Sequence, residues 1–97
     1  MNDREMIEKN SKDIDTLLVL AKDEEFKVEL KKLQEQIKYI IPLPESKAGD
    51  YDKKIKNAIS DLKIELVKDK DDEKAVAKIN ALLRDLKLLV AERKALV

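Results

Sequence analysis

Apolar side chains return along this chain at gaps of three and four, in four stretches whose phases do not agree. The clearest stretch is Asp72–Val97, which holds neither Gly nor Pro. In it Val76, Ile79, Leu83, Leu86, Val90 and Val97 follow one another, with one gap of seven before Val97. A helix turning about 100° per residue places these on one side. Ala75, Leu82, Leu89 and Leu96 widen the stripe, which predicts a central helix that touches two neighbours.

The first stretch carries Met6, Ile7, Ile14, Leu17, Leu18 and Ala21, interrupted by the polar Asn10 and Ser11, with Asn2 or Asp3 as its cap. The second carries Phe26, Leu30, Leu33, Ile37 and Ile40 at heptad-like spacing. No Gly or Pro separates the two. At a helical pitch, however, their stripes lie about 150° apart, so one straight rod would face its halves in opposite directions. A break near Lys22–Glu24, with Asp23 as the new cap, resolves the conflict. Pro42 ends the second helix near Ile41, and the segment from Pro42 to Gly49 reads as a loop. Asp50 then caps a third helix, with Tyr51, Ile55, Ala58, Ile59, Leu62 and Leu66 on one face. Lys68–Asp72 is the turn into the fourth, capped by Asp71 or Asp72.

The pattern therefore predicts an all-α fold: a small antiparallel four-helix bundle, one domain over residues 1–97, with helices near 3–21, 24–41, 51–68 and 72–96. The alternative is a three-helix bundle in which the first two helices fuse into one bent helix. Composition agrees with the helical reading: 43% of the 97 residues are charged, and there are one Gly and two Pro. An apolar fraction of 43% separates the chain from disordered tails.

Charge and missing residue types narrow the chemistry. Twenty-one basic residues balance twenty-one acidic ones, so no net field draws the chain to nucleic acid or anionic lipid, and a nucleic-acid accessory role ranks last. Basic runs such as Lys31-Lys32 and Lys53-Lys54 are interleaved with Glu29, Glu35, Asp50 and Asp52. The longest apolar run, Leu17–Ala21, is far too short to span a membrane, and the N-terminus has no signal-like core. A cytoplasmic bacterial or phage protein is the expectation. Without His or Cys, neither Ser-His nor Cys-His nucleophiles nor a Glu-x-x-His metal site can be built. Asp69, Asp71 and Glu73 alternate like the start of a calcium loop. Lys74 and Asn80 then stand where that loop needs Gly and Glu, so the segment reads as a helix-capping turn. Nearly every Asp and Glu is expected on a solvent face, in ordinary helix pairs such as Glu5–Lys9, Glu8–Lys12 and Asp52–Lys56. No catalytic, cofactor-binding or metal-binding residue is assigned, and a non-catalytic protein is expected.

What remains is a set of apolar residues turned away from the core stripes: Val19, Val28, Tyr39, Ile64 and Leu88. Isolated exposed apolar residues are normal. Should some cluster, they form a surface for another protein or for a second copy of the chain, and Val28, Tyr39, Ile64 and Leu88 are the candidates. The expected role is thus a protein–protein interaction module of inhibitor, immunity or accessory type, with a structural homo-oligomer as the alternative. In the loop, Leu43 is expected to close the core between the second and third helices, with Ile41 beside it. The other reading makes the pair an exposed hook.

Overall fold

Three short connections decide how the helices are arranged. The computed structural model describes residues 2–96, with α1 at Asp3–Leu20, α2 at Glu24–Lys38, α3 at Glu45–Leu66 and α4 at Glu73–Lys94. The fused three-helix alternative is excluded. The chain leaves α1 in an extended conformation at Ala21, and Asp23 starts α2 by accepting a hydrogen bond from the Glu25 N–H at 2.8 Å. Asn2 caps α1 through the Glu5 N–H, and Asp72 caps α4 through the N–H groups of Lys74 and Ala75. Each side chain thereby satisfies donors that the first helical turn leaves unpaired.

The third helix departs from expectation: it starts at Glu45, not near residue 51, and Asp50 is an exposed position within it. Pro44 takes the cap position, its carbonyl accepting from the N–H groups of Lys47 and Ala48 at 2.9 and 3.2 Å. Proline suits that place because a helix start has no use for its missing N–H. Ala48 and Gly49 are both buried, so the two smallest residues of the segment sit inside the helix where the backbone is closely packed, not in a loop.

Packing is extensive between α1 and α2, α1 and α3, and α3 and α4, and slight between α2 and α4; the backbones of α1 and α4 stay apart, as do those of α2 and α3, so these pairs meet only through side chains across the diagonals. The helices therefore stand at four corners in the order α1, α2, α4, α3. Consecutive helices run antiparallel, whereas the side-by-side pairs α1/α3 and α2/α4 run parallel. Ile41–Pro44 must then cross the diagonal at one end of a molecule measuring 42 × 20 × 19 Å. The α4 helix occupies a corner like the others, with α3 and α2 as its two neighbours. Its stripe is buried as expected at Ile79, Leu83, Leu86 and Val90, with Leu82 and Leu89 packed against the core; Val97 lies outside the described residues. Ile7, Ile14, Leu17, Leu30, Leu33, Ile37, Ile55, Ile59, Leu62 and Leu66 complete the interior. Leu43 is only half-buried and Ile41 is exposed, so the crossing segment contributes its backbone more than its side chains.

Candidate functional site

Under the crossing segment lies a group of charges that the apolar pattern does not announce. Arg93, in the last turn of α4, is completely buried. Its Nη2 donates to Asp3 Oδ2 at 2.7 Å and to the Ile41 carbonyl at 3.0 Å, and its Nε donates to Asp52 Oδ1 at 3.2 Å. Asp3 Oδ2 also accepts the Leu43 N–H at 2.6 Å. Asn10, the polar interruption of α1, is buried and donates to the Asp52 carbonyl at 3.4 Å. One guanidinium thus ties α1, α3, α4 and the diagonal crossing together. The helix ends assist, since Asp3 stands at the positive end of α1 and Arg93 at the negative end of α4.

These positions correct the expectation that the carboxylates face solvent. Asp3, Asp52 and Glu65 are all buried, and Asp52 faces Arg93 instead of pairing with Lys56. On the surface, Lys9 pairs with Asp13, not with Glu5. Burial pushes the Asp52 carboxyl up to about 7, with the Asp3 hydrogen bond and negative charge adding to it and Arg93 opposing. Burial also pushes Asp3 upward. There, the hydrogen bonds from Asp52 and from Leu43 N–H, together with Arg93, outweigh it and hold the group below its ordinary range. Asp3 Oδ1 and Asp52 Oδ2 have no other partner. A proton on Asp52 supplies one to both: its hydroxyl donates to Asp3, leaving one positive, one negative and one neutral group in the interior. That balance makes the burial affordable.

At the opposite end, Glu65 is buried but meets two lysines that reach solvent, Lys68 at 2.7 Å and Lys78 at 3.4 Å. The Lys68 hydrogen bond, opposed by burial and helped by Lys78, holds Glu65 below the usual carboxylate range. Among the described residues no three acidic groups converge as a metal site would need. Asp69 accepts the Asp71 N–H and Asp72 caps α4, so the calcium-like run is spent on the turn.

The open part of the surface is the seam between α2 and α4. Two grooves lie along it, of about 490 and 550 Å³. The first is lined by Glu24, Glu25, Phe26 and Val28 of α2 facing Leu83 and Arg84 of α4; the second by Lys32 and Gln36 facing Ala91 and Lys94. An ion pair between Glu29 and Lys87 bridges them, and the Lys87 hydrogen bond holds the Glu29 carboxyl below its ordinary range.

Of the four candidate surface residues, Val28 lines this face, and Tyr39 and Leu88 stand beside it. Val28, 52% exposed, lines the first groove. Leu88, 61% exposed, points away from the core, one turn from Arg84 and Ala91 on the α2 side and one turn from Asp85 and Glu92 on the α3 side, so it stands on the outer surface of α4 beside the seam. Tyr39, 72% exposed, follows Gln36 by one turn at the end of α2, with Lys38 Nζ 5.8 Å from its ring centre. Ile64 does not join them. It is half a turn from the buried row of α3, a helix whose backbone stays apart from α2, and its exposed neighbour is Val67.

Arg93 did leave a trace in the sequence. The gap of seven between Val90 and Val97 is where a stripe residue should fall, and Arg93 fills it. No protein-family model, curated protein or solved structure matches this chain.

Proposed function

We propose that this protein is a non-catalytic interaction module and that its contact surface is the α2–α4 face. The observation that carries the reading is that exposed Val28 lines the most loosely packed seam of the bundle, with Tyr39 at the end of α2 and Leu88 on the outer surface of α4 beside it. An apolar strip rimmed by charges is the usual composition of a protein contact, with aromatic and aliphatic anchors inside and the charges setting the choice of partner. The rest of the molecule suits a rigid support. The buried Arg93 network fixes the ends of α1, α3 and α4, and a site built on packed helices holds its shape better than one built on loops. No helix among the described residues is long and apolar enough to cross a membrane.

The test is a pair of double variants expressed in the native host and followed by native size exclusion. Val28→Glu with Leu88→Glu should return the protein to the elution of the free chain, whereas Ile64→Glu with Val67→Glu should leave its complex intact. The opposite pattern, or an unchanged complex in both, refutes the assignment.

A further inference from the structure

We propose that the α2–α4 face closes on a second copy of this chain, with a two-fold axis running along the groove. The inference rests on the reading of that face as the contact surface and adds the identity of its occupant. The α2 wall carries Glu24, Glu25 and Glu29, with Lys32 the only basic residue lining it. The α4 wall carries Arg84, Lys87 and Lys94 and no acidic residue. Opposite signs on the two banks of one groove are what a self-complementary interface needs, because a two-fold operation presents each patch to itself.

An axis parallel to the helices exchanges the banks. Along the first groove each copy's Glu24 and Glu25 then lie against the partner's Arg84, and the reverse holds across the axis, while the second groove brings Lys94 beside the partner's Gln36 and Lys32. Apolar positions follow the same operation. Val28 lines the first groove beside the Glu29–Lys87 pair, and Leu88 follows Lys87 on the outer surface of α4. The exchange therefore sets Val28 of one copy against the α4 wall of the other, twice, with Leu88 at the outer edge. An axis perpendicular to the helices does worse: it turns α4 onto α4 and sets Arg84 near the second copy's Lys94. A foreign partner would need only one matching wall, whereas here each wall has its counterpart within the same chain.

The experiment is sedimentation equilibrium of the purified chain over a wide concentration range, repeated with two charge-reversal variants alone and mixed. The wild type should form a dimer that loosens about tenfold when salt is raised from low to high, because the facing charges are exposed and screened. Glu24→Lys with Glu25→Lys makes both walls basic, and Arg84→Glu with Lys94→Glu makes both walls acidic. Each should be monomeric alone, and an equimolar mixture should recover a heterodimer. Val28→Ser, at an exposed position with no structural duty, should weaken self-association while leaving the helical spectrum and melting unchanged, which guards against unfolding in the charge variants. A wild type that stays monomeric throughout, or a mixture that fails to pair when both variants are folded, overturns the proposal. If the chain is monomeric yet Val28→Glu with Leu88→Glu still dissolves the complex in the host, the second-copy proposal alone falls and the contact face stands.

Discussion

The two ends of this bundle solve the same problem, a buried carboxylate, in opposite ways. At the Arg93 end the partners come from distant parts of the chain, no member reaches solvent, and neutrality requires a proton on Asp52. At the Glu65 end the buried carboxylate is served by Lys68, one turn away, and by Lys78 across the turn, both half in water. The first arrangement is a tertiary lock in which close pairing offsets the cost of desolvating the charges. The second is a local tether that solvent screens. Their difference assigns rigidity to one end and tolerance to the other.

The largest effect expected is at the lock. Arg93→Met strands two carboxyls in the interior and should cost about 3–5 kcal/mol in urea unfolding. Adding Asp3→Asn and Asp52→Asn should recover much of that loss, because apolar or neutral replacement of a whole buried ion group is tolerated. Glu65→Gln, at the tether, should cost distinctly less than Arg93→Met. Equal losses would erase the distinction between the ends.

Next in size is the contrast within α4. Leu86→Ala should cost about 2–5 kcal/mol as a large-to-small change in the core, and Leu88→Ala less than about 0.5. Comparable losses would mean that the α2–α4 rim is already covered within the monomer.

The acidity of the lock sharpens the comparison further. Because the folded state raises Asp52 from its ordinary 3.8 to about 7, the native protein keeps a proton that the unfolded chain has released between those values. The contribution of Asp52 to stability should therefore be full below its ordinary 3.8 and be lost as pH rises to about 7, levelling off above it. Asp3, held low, acts in the other direction and withdraws its contribution as the solution becomes more acid than the unfolded carboxyl's own range. Asp52→Asn, an uncharged mimic of the protonated group, should flatten the decline between pH 4 and 7 in denaturation series. A slope unchanged by that substitution would place the proton elsewhere.

Much of the fold was legible because the core obeys a simple rhythm. The break near Lys22–Glu24, the four stripes and the cap at Asp23 follow from spacing and cap chemistry, while the structure selects Asn2 over Asp3 and Asp72 over Asp71. The buried charges obey the same rhythm yet were hidden by their residue type. Asp3 precedes Ile7 by four, Asn10 falls between Ile7 and Ile14, Asp52 precedes Ile55 by three, and Arg93 follows Val90 by three. Read by position instead of polarity, all four belong to the stripes. Helix order was the other unreadable feature. Heptad spacing says which face is buried but not which neighbour buries it, so the diagonal crossing and the open α2–α4 seam came only with the three-dimensional arrangement. That arrangement also sorted Val28, Tyr39 and Leu88 from Ile64, a division the sequence had no means to make. The third helix's early start has a local cause: Pro44, at the cap position, has no N–H to lose and its carbonyl accepts from Lys47 and Ala48, so the helix begins ahead of Asp50.

The most direct test of the account is site-specific photocrosslinking in the native host, with the reactive side chain placed in turn at Val28, Leu88 and Ile64. The account predicts discrete adducts from Val28 and Leu88 and none from Ile64. Adducts from Ile64 with silence at Val28 and Leu88 would contradict it.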